Sequence, residues 1–207
     1  MTDTKVKAVF FDLGNVLVRF DVGILGKSLS PHSKVKDPDF ESYVADSPDV
    51  NRYMEGKISS SQFYNRTKRH FKLDISYSDF YRAWNGIFYP YPEVENIVRS
   101  IKKKYPDIRL ILVSNTNETH YSYLEKEYDV LEAFDEKILS HEVGCQKPDP
   151  DIFMKALSVS GALPKDIFYT DDRLDLIEAA RVIGIRAYQF TSHDKLTSDL
   201  AKVNILV

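Results

Sequence analysis

Five short apolar segments of this chain are interleaved with segments of helical periodicity, and this order constrains the fold more than any other feature. The apolar segments are rich in Val, Ile, Leu and aromatic residues without a clean apolar–polar alternation, as is typical of strands covered on both faces. They occupy residues 6–11, 108–113, 137–140, 167–170 and 186–190. Segments of helical spacing lie between them at 92–104, 151–160 and 174–183. Since such an order builds parallel sheets through right-handed crossovers, the sequence predicts an α/β fold with a Rossmann-like, doubly wound parallel sheet.

A long segment after the first predicted strand breaks this order. Residues 20–89 carry many aromatic residues and no strong strand signal, which predicts a small all-helical cap inserted after the first strand. The predicted division is a core of residues 1–18 and 91–207 and a cap of residues 19–90. Because the chain leaves the sheet and returns to it, the cap is expected to cover the strand ends as a lid.

Composition excludes several classes of protein. The 207 residues are 43% hydrophobic and 29% charged, an ordinary globular balance. Lys and Arg (28) nearly match Asp and Glu (31), and no basic stripe stands out, so a nucleic-acid partner is not expected.

The single cysteine, Cys145, suits a reducing compartment. No apolar stretch is long enough to span a membrane, and residues 1–5 do not resemble a signal peptide, so the expected location is the cytoplasm. Oligomeric state is not readable from the sequence.

Polar residues follow the predicted strands at four places. The first, Asp12, precedes the turn-forming pair Gly14 and Asn15, two residue types that tolerate positive φ. Taken singly, each place has an ordinary explanation: a turn or helix cap, an exposed loop lysine, or carboxylates at a helix N-terminus. Taken together they are expected to converge, because the carboxyl ends of parallel strands lie at one edge of the sheet. Ligands bind at that edge in open α/β sheets. The four places are Asp12, Ser114-Asn115-Thr116, Lys147, and Asp171-Asp172.

These side chains form a coherent set for phosphoryl transfer. Asp12, Asp171 and Asp172 would repel one another, and a divalent cation such as Mg2+, which prefers hard oxygen ligands, would relieve that repulsion. A hydroxyl and an amide at a helix start suit a phosphate group. Lys147 supplies positive charge against a transferring phosphoryl group, and a carboxylate can attack phosphorus.

The ordered motifs resemble those of the haloacid dehalogenase-like hydrolase superfamily. They are Asp12-Leu13-Gly14-Asn15-Val16, Val113-Ser114-Asn115-Thr116, Lys147-Pro148-Asp149 and Asp171-Asp172, and they span nearly the whole chain. The helical insert is similar to the C1-type cap of subfamily I. The stretches around Asp12, Gly56 and Ser114 are most similar to the bacterial glucose-1-phosphate phosphatase branch, with the N-terminal phosphatase domains of epoxide hydrolases as near neighbours.

The resemblance implies a Mg2+-dependent phosphatase acting on a small phosphorylated metabolite, for instance a sugar phosphate. It makes Asp12 the nucleophile that forms an aspartyl-phosphate and Lys147 the group that neutralises charge. It assigns phosphate binding to Ser114 and Asn115, with Lys147. It assigns the metal to Asp12, the Gly14 carbonyl and Asp172, with Asp171 assisting.

One position departs from the family pattern. Most phosphatases of the superfamily carry a second Asp two residues after the nucleophile as general acid and base, and here that residue is Gly14. The branch named above shares this departure. The identity of the proton donor is then open, and Asp21, Asp175 or a cap residue are the candidates.

Two other functions stay open at this point. One is a metal-independent haloacid dehalogenase, although such enzymes lack an acidic pair like Asp171-Asp172. The other is a non-catalytic binding or regulatory protein that retains the fold, which Gly14 alone would favour.

Weaker expectations concern four further residues. His120 is predicted at an exposed helix position. Arg19, Arg52 and Tyr53 are candidates for contact with substrate from the cap side, although each type more often packs or faces solvent.

Overall fold

A computed structural model describes residues 6–207, in which five parallel strands form the central sheet in the order β5-β4-β1-β6-β7. The strands are β1 Ala8–Phe11, β4 Arg109–Ser114, β5 Glu136–Leu139, β6 Ile167–Asp171 and β7 Arg186–Gln189. All five were predicted from apolar runs, to within two residues at each end. Residues 1–5 of the predicted core lie outside the described residues.

Both faces of the sheet are buried, which explains the unbroken apolar runs. In β1, Val9 and Phe11 join one apolar cluster with helix α6 (Pro92–Lys104), while Phe10 joins another with helix α9 (Pro150–Ser160). All four residues of β1 are completely buried. Helices on both faces and parallel strands confirm the α/β, doubly wound architecture.

The remaining core helices follow strands or connect them. They are α7 Glu118–Glu127, α8 Ser140–Val143, α10 Leu174–Val182 and α11 His193–Ala201, with 3-10 turns at Asp129–Ala133 and Pro164–Asp166. Among residues 6–207, no helix is both long and apolar enough to cross a membrane.

Five helices follow the first strand as the predicted cap. They are α1 Val22–Leu29, α2 Phe40–Asp46, α3 Pro48–Met54, α4 Ser60–Phe71 and α5 Tyr77–Asn85, with a 3-10 turn at Ser30–His32. Ser59 starts α4 with a capping box, in which its side chain accepts from Gln62 N and the Gln62 side chain accepts from Ser59 N. The aromatic residues of the insert form the cap's own apolar core around Trp84 and Phe63, whose ring centroids lie 4.8 Å apart.

Two short strands at the root of the cap were not predicted. β2 (Val18–Phe20) pairs antiparallel with β3 (Phe88–Pro90), so the chain enters and leaves the cap side by side. Strands of three residues are too short to show a period in the sequence, and their pairing joins segments about 70 residues apart. The division at residues 18/19 and 90/91 remains a prediction.

The cap packs closely against the core through polar contacts. Tyr53 Oη donates to Thr119 Oγ1 at 2.9 Å, and Ser60 Oγ donates to Glu118 Oε2 at 2.6 Å. Gly56, with φ +65°, lies against the core so tightly that a Cβ would be 2.1 Å from the His141 carbonyl oxygen. Only glycine combines that backbone conformation with that approach.

Candidate active site

The ends of three adjacent strands bring the predicted acidic and hydroxyl residues together. Asp12 directly follows β1, which lies between β4 and β6 in the sheet. Ser114 is the last residue of β4 and Asp171 the last residue of β6, so they flank Asp12 on its two sides. The Asp12 backbone is tied to β6 by a 3.0 Å hydrogen bond from its N–H to the Thr170 carbonyl. Parallel strand ends therefore produce the convergence that the sequence predicted.

Lys147 enters this group from the loop between α8 and α9. Its Nζ donates to Asp12 Oδ1 at 2.7 Å and to Asp171 Oδ2 at 2.6 Å, and its side chain is almost fully buried. Asn115 holds the lysine backbone: its Nδ2 donates to the Lys147 carbonyl at 2.9 Å and its Oδ1 accepts from Lys147 N at 2.7 Å. The Asn115 side chain thus positions Lys147 in addition to lining the site.

Asp171 is held by groups that the sequence analysis missed. Tyr169 Oη donates to Asp171 Oδ2, and Arg173 N donates to Asp171 Oδ1 at 3.0 Å. Tyr169 and Asp171 lie two residues apart on β6, so their side chains point to the same face of the sheet. That spacing was readable from the sequence, but the apolar run around Tyr169 indicated only a core position. With Lys147 also bonded to Oδ2, both oxygens of Asp171 already have protein partners.

Asp172 is less constrained. It is half-buried, and its carboxylate accepts from Asn15 Nδ2 at a long 3.4 Å. Asn15 adopts the left-handed conformation (φ +57°) that the Gly14-Asn15 turn predicted. Asp172 therefore has more capacity for an added cation than Asp171 does.

The donor set fits a hard divalent cation. One oxygen from each of Asp12, Asp171 and Asp172 lies within 4.8 Å of the others. Three carboxylates with one ammonium group leave a buried excess of negative charge, and carboxylate oxygens are ligands that Mg2+ prefers.

The electrostatics of the site depend on this excess charge. Burial, together with repulsion from Asp171 and Asp172, raises the pKa of Asp12 to about 7 although Lys147 opposes the shift. Burial and repulsion from Asp171 likewise raise the pKa of Asp172. Burial alone would lower the pKa of Lys147, but attraction from Asp12 and Asp171 outweighs it and the pKa is raised. Burial and the nearby carboxylates raise the pKa of Tyr169, so its hydroxyl stays a donor to Asp171.

Metal-free protein is therefore expected to lose stability as the pH rises. The pKa of Asp12 is 3.8 as the ordinary value and about 7 in the fold, so between these values the folded state holds a proton that the unfolded state releases. The free energy of unfolding then falls from about pH 4 to about pH 7, by an amount that lowers the Tm by roughly 10 °C. Thermal unfolding in EDTA between pH 5 and pH 8 measures the effect. The Tm of the Asp12→Asn variant should fall clearly less over this pH range. Equal decreases in Tm for both proteins would contradict the assignment of the raised pKa to Asp12.

A cleft of about 360 Å³ lies above these groups. Its core side is lined by Asp12, Gly14, Asn15, Asn115, Gln146, Lys147, Asp171, Asp172, Arg173 and Leu176, and its cap side by Phe20, Val44, Ala45, Val50, Asn51 and Met54. Ser114 is 2% exposed and lines a smaller adjoining cavity, which shares Gly14, Phe20, Val44, Met54 and Asn115 with the cleft.

Neither aspartate named from the sequence as a candidate proton donor lines the cleft. Asp21 caps α1, accepting from Gly23 N at 2.7 Å, and Asp175 binds the Arg173 guanidinium at 2.6 Å; both lie outside the cleft lining. The space beside Gly14 is also taken, because a Cβ there would lie 2.9 Å from Phe20 Cε1. A larger residue at position 14 requires that ring to move.

The prediction for His120 was wrong. The residue is 6% exposed, its ring stacks on Trp84 with centroids 4.8 Å apart, and its Nε2 lies 3.0 Å from the Trp84 carbonyl oxygen. Burial lowers the pKa of His120 to about 3, so the ring is neutral and donates to that carbonyl. The helical pattern placed His120 on a surface, and the cap covers that surface.

Arg19, Arg52 and Tyr53 also lie outside the cleft lining. Arg19 stacks over the Tyr91 ring at 3.9 Å, and the buried Tyr53 joins cap to core. Their neighbours Phe20, Asn51 and Met54 line the cleft instead.

Comparison with known protein families shows which family the chain belongs to. The sequence model of haloacid dehalogenase-like hydrolases matches residues 6–184. The chain belongs to this family. All four motifs quoted from the sequence lie within the matched range of this hydrolase.

Three known proteins illustrate what the hydrolase is similar to. D-ribitol-5-phosphate phosphatase of Bacteroides thetaiotaomicron is 24% identical over 197 residues, 89% of this chain and 91% of its own. Drimenol cyclase drtB of Aspergillus calidoustus is 23% identical over 96% of this chain, and the chain spans only 36% of that cyclase. A haloacid dehalogenase family enzyme of B. thetaiotaomicron, solved with magnesium and inorganic phosphate, shares the fold with a TM-score of 0.75 at 24% identity, covering 90% of this chain and 94% of its own.

Proposed function

We propose that this hydrolase is a Mg2+-dependent phosphatase that cleaves a small phosphorylated metabolite through an aspartyl-phosphate on Asp12. The observation that carries the proposal is the joint contact of Lys147 with Asp12 and Asp171, beside Asp172, in one cleft at the strand ends. The three carboxylates and one ammonium group leave an excess of negative charge that a divalent metal would balance, and the metal and Lys147 together would then attract an anionic phosphate.

In this mechanism Asp12 attacks the phosphorus atom. A carboxylate oxygen forms a bond to phosphorus while the bond from phosphorus to the ester oxygen breaks, and the leaving oxygen takes a proton from solvent. Water then attacks phosphorus while the bond from phosphorus to the Asp12 oxygen breaks, and the water gives up a proton to solvent, which leaves inorganic phosphate and the Asp12 carboxylate. Lys147 keeps its proton throughout and offsets charge on Asp12 and on the transferring group.

Ser114 and Asn115 are the proposed phosphate-binding residues, with Lys147. Both polar atoms of the Asn115 side chain already form hydrogen bonds with the Lys147 backbone. The main contribution of Asn115 is therefore to hold Lys147 in position. Ser114, at the end of β4, would donate its hydroxyl to the phosphate.

The proposed metal ligands are Asp12, the Gly14 carbonyl and Asp172, with Asp171 in support. Asp172 ranks above Asp171 because its carboxylate has only one long hydrogen bond, whereas both Asp171 oxygens are occupied. When bound, Mg2+ supplies positive charge that offsets the carboxylates and the phosphate oxygens.

The relatives support phosphate chemistry over the alternatives. One relative is named as a phosphatase of a polyol phosphate, and the solved neighbour binds magnesium and phosphate. A dehalogenase, which needs no metal, would have no use for the repelling pair Asp171 and Asp172. A non-catalytic protein would have no need for Lys147 buried against Asp12.

Hydrolysis of 4-nitrophenyl phosphate tests the proposal. Purified protein with Mg2+ should release nitrophenolate, and EDTA should lower the rate by about 100-fold or more because the carboxylates would then repel the substrate. Readdition of Mg2+ in excess should restore the rate. Chloride release from a 2-haloacid in EDTA would instead indicate a dehalogenase, and absence of both reactions would favour the non-catalytic alternative.

A further inference from the structure

We infer that the cleft selects monophosphates whose organic part carries no second charge. The inference rests on the proposed phosphatase function and extends it to the class of substrate. It comes from the cap residues that line the same cleft as Asp12, beside which the organic part of a phosphate ester on Asp12 would lie.

The cap side of the cleft is formed mainly by uncharged side chains. Its apolar residues come from β2, α2 and α3 and are Phe20, Val44, Ala45, Val50 and Met54. Two carboxamide residues, Asn51 from the cap and Gln146 from the core, also line the cleft. Carboxamides donate and accept hydrogen bonds without charge, so they suit hydroxyl groups.

The charged residues of α3 and the turn after it pair with one another or with Arg66 of α4, outside the cleft. Asp49 lies 2.8 Å from Arg66 and 4.0 Å from Arg52, and Lys57 lies 2.8 Å from Glu55. These pairs do not line the cleft. A charged group on a substrate would therefore have to break an existing pair to gain a partner from this part of the cap.

Both cations that line the cleft among the described residues are also paired. Lys147 contacts Asp12 and Asp171. The Arg173 guanidinium binds Asp175 through two hydrogen bonds, Nε to Oδ1 at 3.1 Å and Nη2 to Oδ2 at 2.6 Å. A second anionic group would thus meet an apolar wall, the negative Asp172, and the substrate's own phosphate.

Such an arrangement penalises a second anion in two ways. The anion loses water against Val50 and Met54 without gaining a cation, and it is repelled by the reacting phosphate within the same small cleft. A hydroxyl at the same place loses far less and can bond to Asn51 or Gln146. We expect a preference for the uncharged member of a matched pair of about 10-fold or more in kcat/KM.

Matched phosphate esters test the inference. Glycerol 3-phosphate and 3-phosphoglycerate differ only in a terminal hydroxymethyl or carboxylate group, as do sorbitol 6-phosphate and 6-phosphogluconate. Each is measured with Mg2+ as a substrate and as a competitive inhibitor of 4-nitrophenyl phosphate hydrolysis, so that slowly cleaved esters are also ranked. The uncharged member of each pair should be the better substrate or the tighter inhibitor.

Placing a cation on the cap side should narrow the difference. Asn51→Lys and Ala45→Lys are suitable because both residues are exposed and line the cleft. Each should reduce the preference for the uncharged ester by about 5-fold or more by attracting the carboxylate. Glu41→Gln, on the exposed side of α2 outside the cleft, changes the net charge by the same unit and should leave the preference as it is.

Failure of this inference is distinct from failure of the proposed function. If 4-nitrophenyl phosphate is hydrolysed but the two members of each pair act equally, including by not acting at all, the inference is wrong and the phosphatase stands. A preference for the charged member would overturn it in the same way. If no phosphate ester is hydrolysed with Mg2+, the proposed function fails and this inference fails with it.

Discussion

Replacing Asp12 with asparagine is expected to lower phosphatase kcat by about 10⁴-fold or more, because the amide cannot form the acyl-phosphate that carries the reaction. The substitution keeps the shape of the side chain and leaves Lys147 bonded to Asp171 at 2.6 Å. Folding should therefore be retained, and in EDTA at pH 8 the variant should unfold at a higher temperature than the parent. The measurement is steady-state hydrolysis of 4-nitrophenyl phosphate with Mg2+, beside a thermal unfolding curve.

Asp107→Asn provides the matched control, since it makes the same chemical change at an exposed position outside the cleft. It should leave kcat close to that of the parent. Residual turnover of Asp12→Asn within about 10-fold of the parent would remove Asp12 from the nucleophile's role, because loss of a covalent nucleophile costs far more.

Replacing Lys147 with methionine is the second large expected effect. Methionine retains most of the length of the side chain but leaves Asp12 and Asp171 without their shared cation in a buried site. The expected result is a decrease of about 10²- to 10³-fold in kcat/KM, with both a lower kcat and a higher KM, because Lys147 is proposed to offset charge on bound and reacting phosphate. The same steady-state assay, extended to a range of substrate concentrations, separates the two parameters.

Loss of Lys147 also removes one partner of a buried ion pair, so stability has to be followed in parallel. Thermal unfolding with and without Mg2+ reports whether the variant is folded under assay conditions. Lys155→Met removes one positive charge from the exposed side of α9 and should leave both parameters unchanged. A folded Lys147→Met variant with parental kcat/KM would contradict the role of this lysine.

The sequence was sufficient for the sheet, the helical nature of the insert and the place where the polar residues meet. Short apolar runs indicate strands that are buried on both faces. A residue that directly follows such a strand lies at the carboxyl edge of the sheet, whatever its neighbours are. For that reason Asp12, Ser114 and Asp171 could be placed at strand ends on one edge of the sheet from local pattern alone, whereas the strand order that makes those ends adjacent came from the structure. The family's motifs added the roles of these residues, which remain proposals.

Contacts between distant segments were not readable in the same way. His120 was predicted to be exposed because the pattern of its own helix contains no information about Trp84. The Trp84 ring, from a distant part of the chain, packs on His120 and buries it. The hydrogen bond from the Tyr169 hydroxyl to Asp171 was not predicted, because the apolar run around Tyr169 indicated only a buried strand. The paired strands β2 and β3 are too short to carry a period of their own.

What the sequence by itself determined is the order of strands and helices and the set of side chains at the strand ends, because backbone periodicity and burial act locally. Only the tertiary structure decided how those side chains are held: Asn115 on the Lys147 backbone, Tyr169 on Asp171, and Phe20 against Gly14. Tertiary structure also decided which cap residues face the cleft, since α2 and α3 could present any side to the core. The physical reason is that such contacts depend on packing between segments far apart in the chain, and local pattern does not encode that packing.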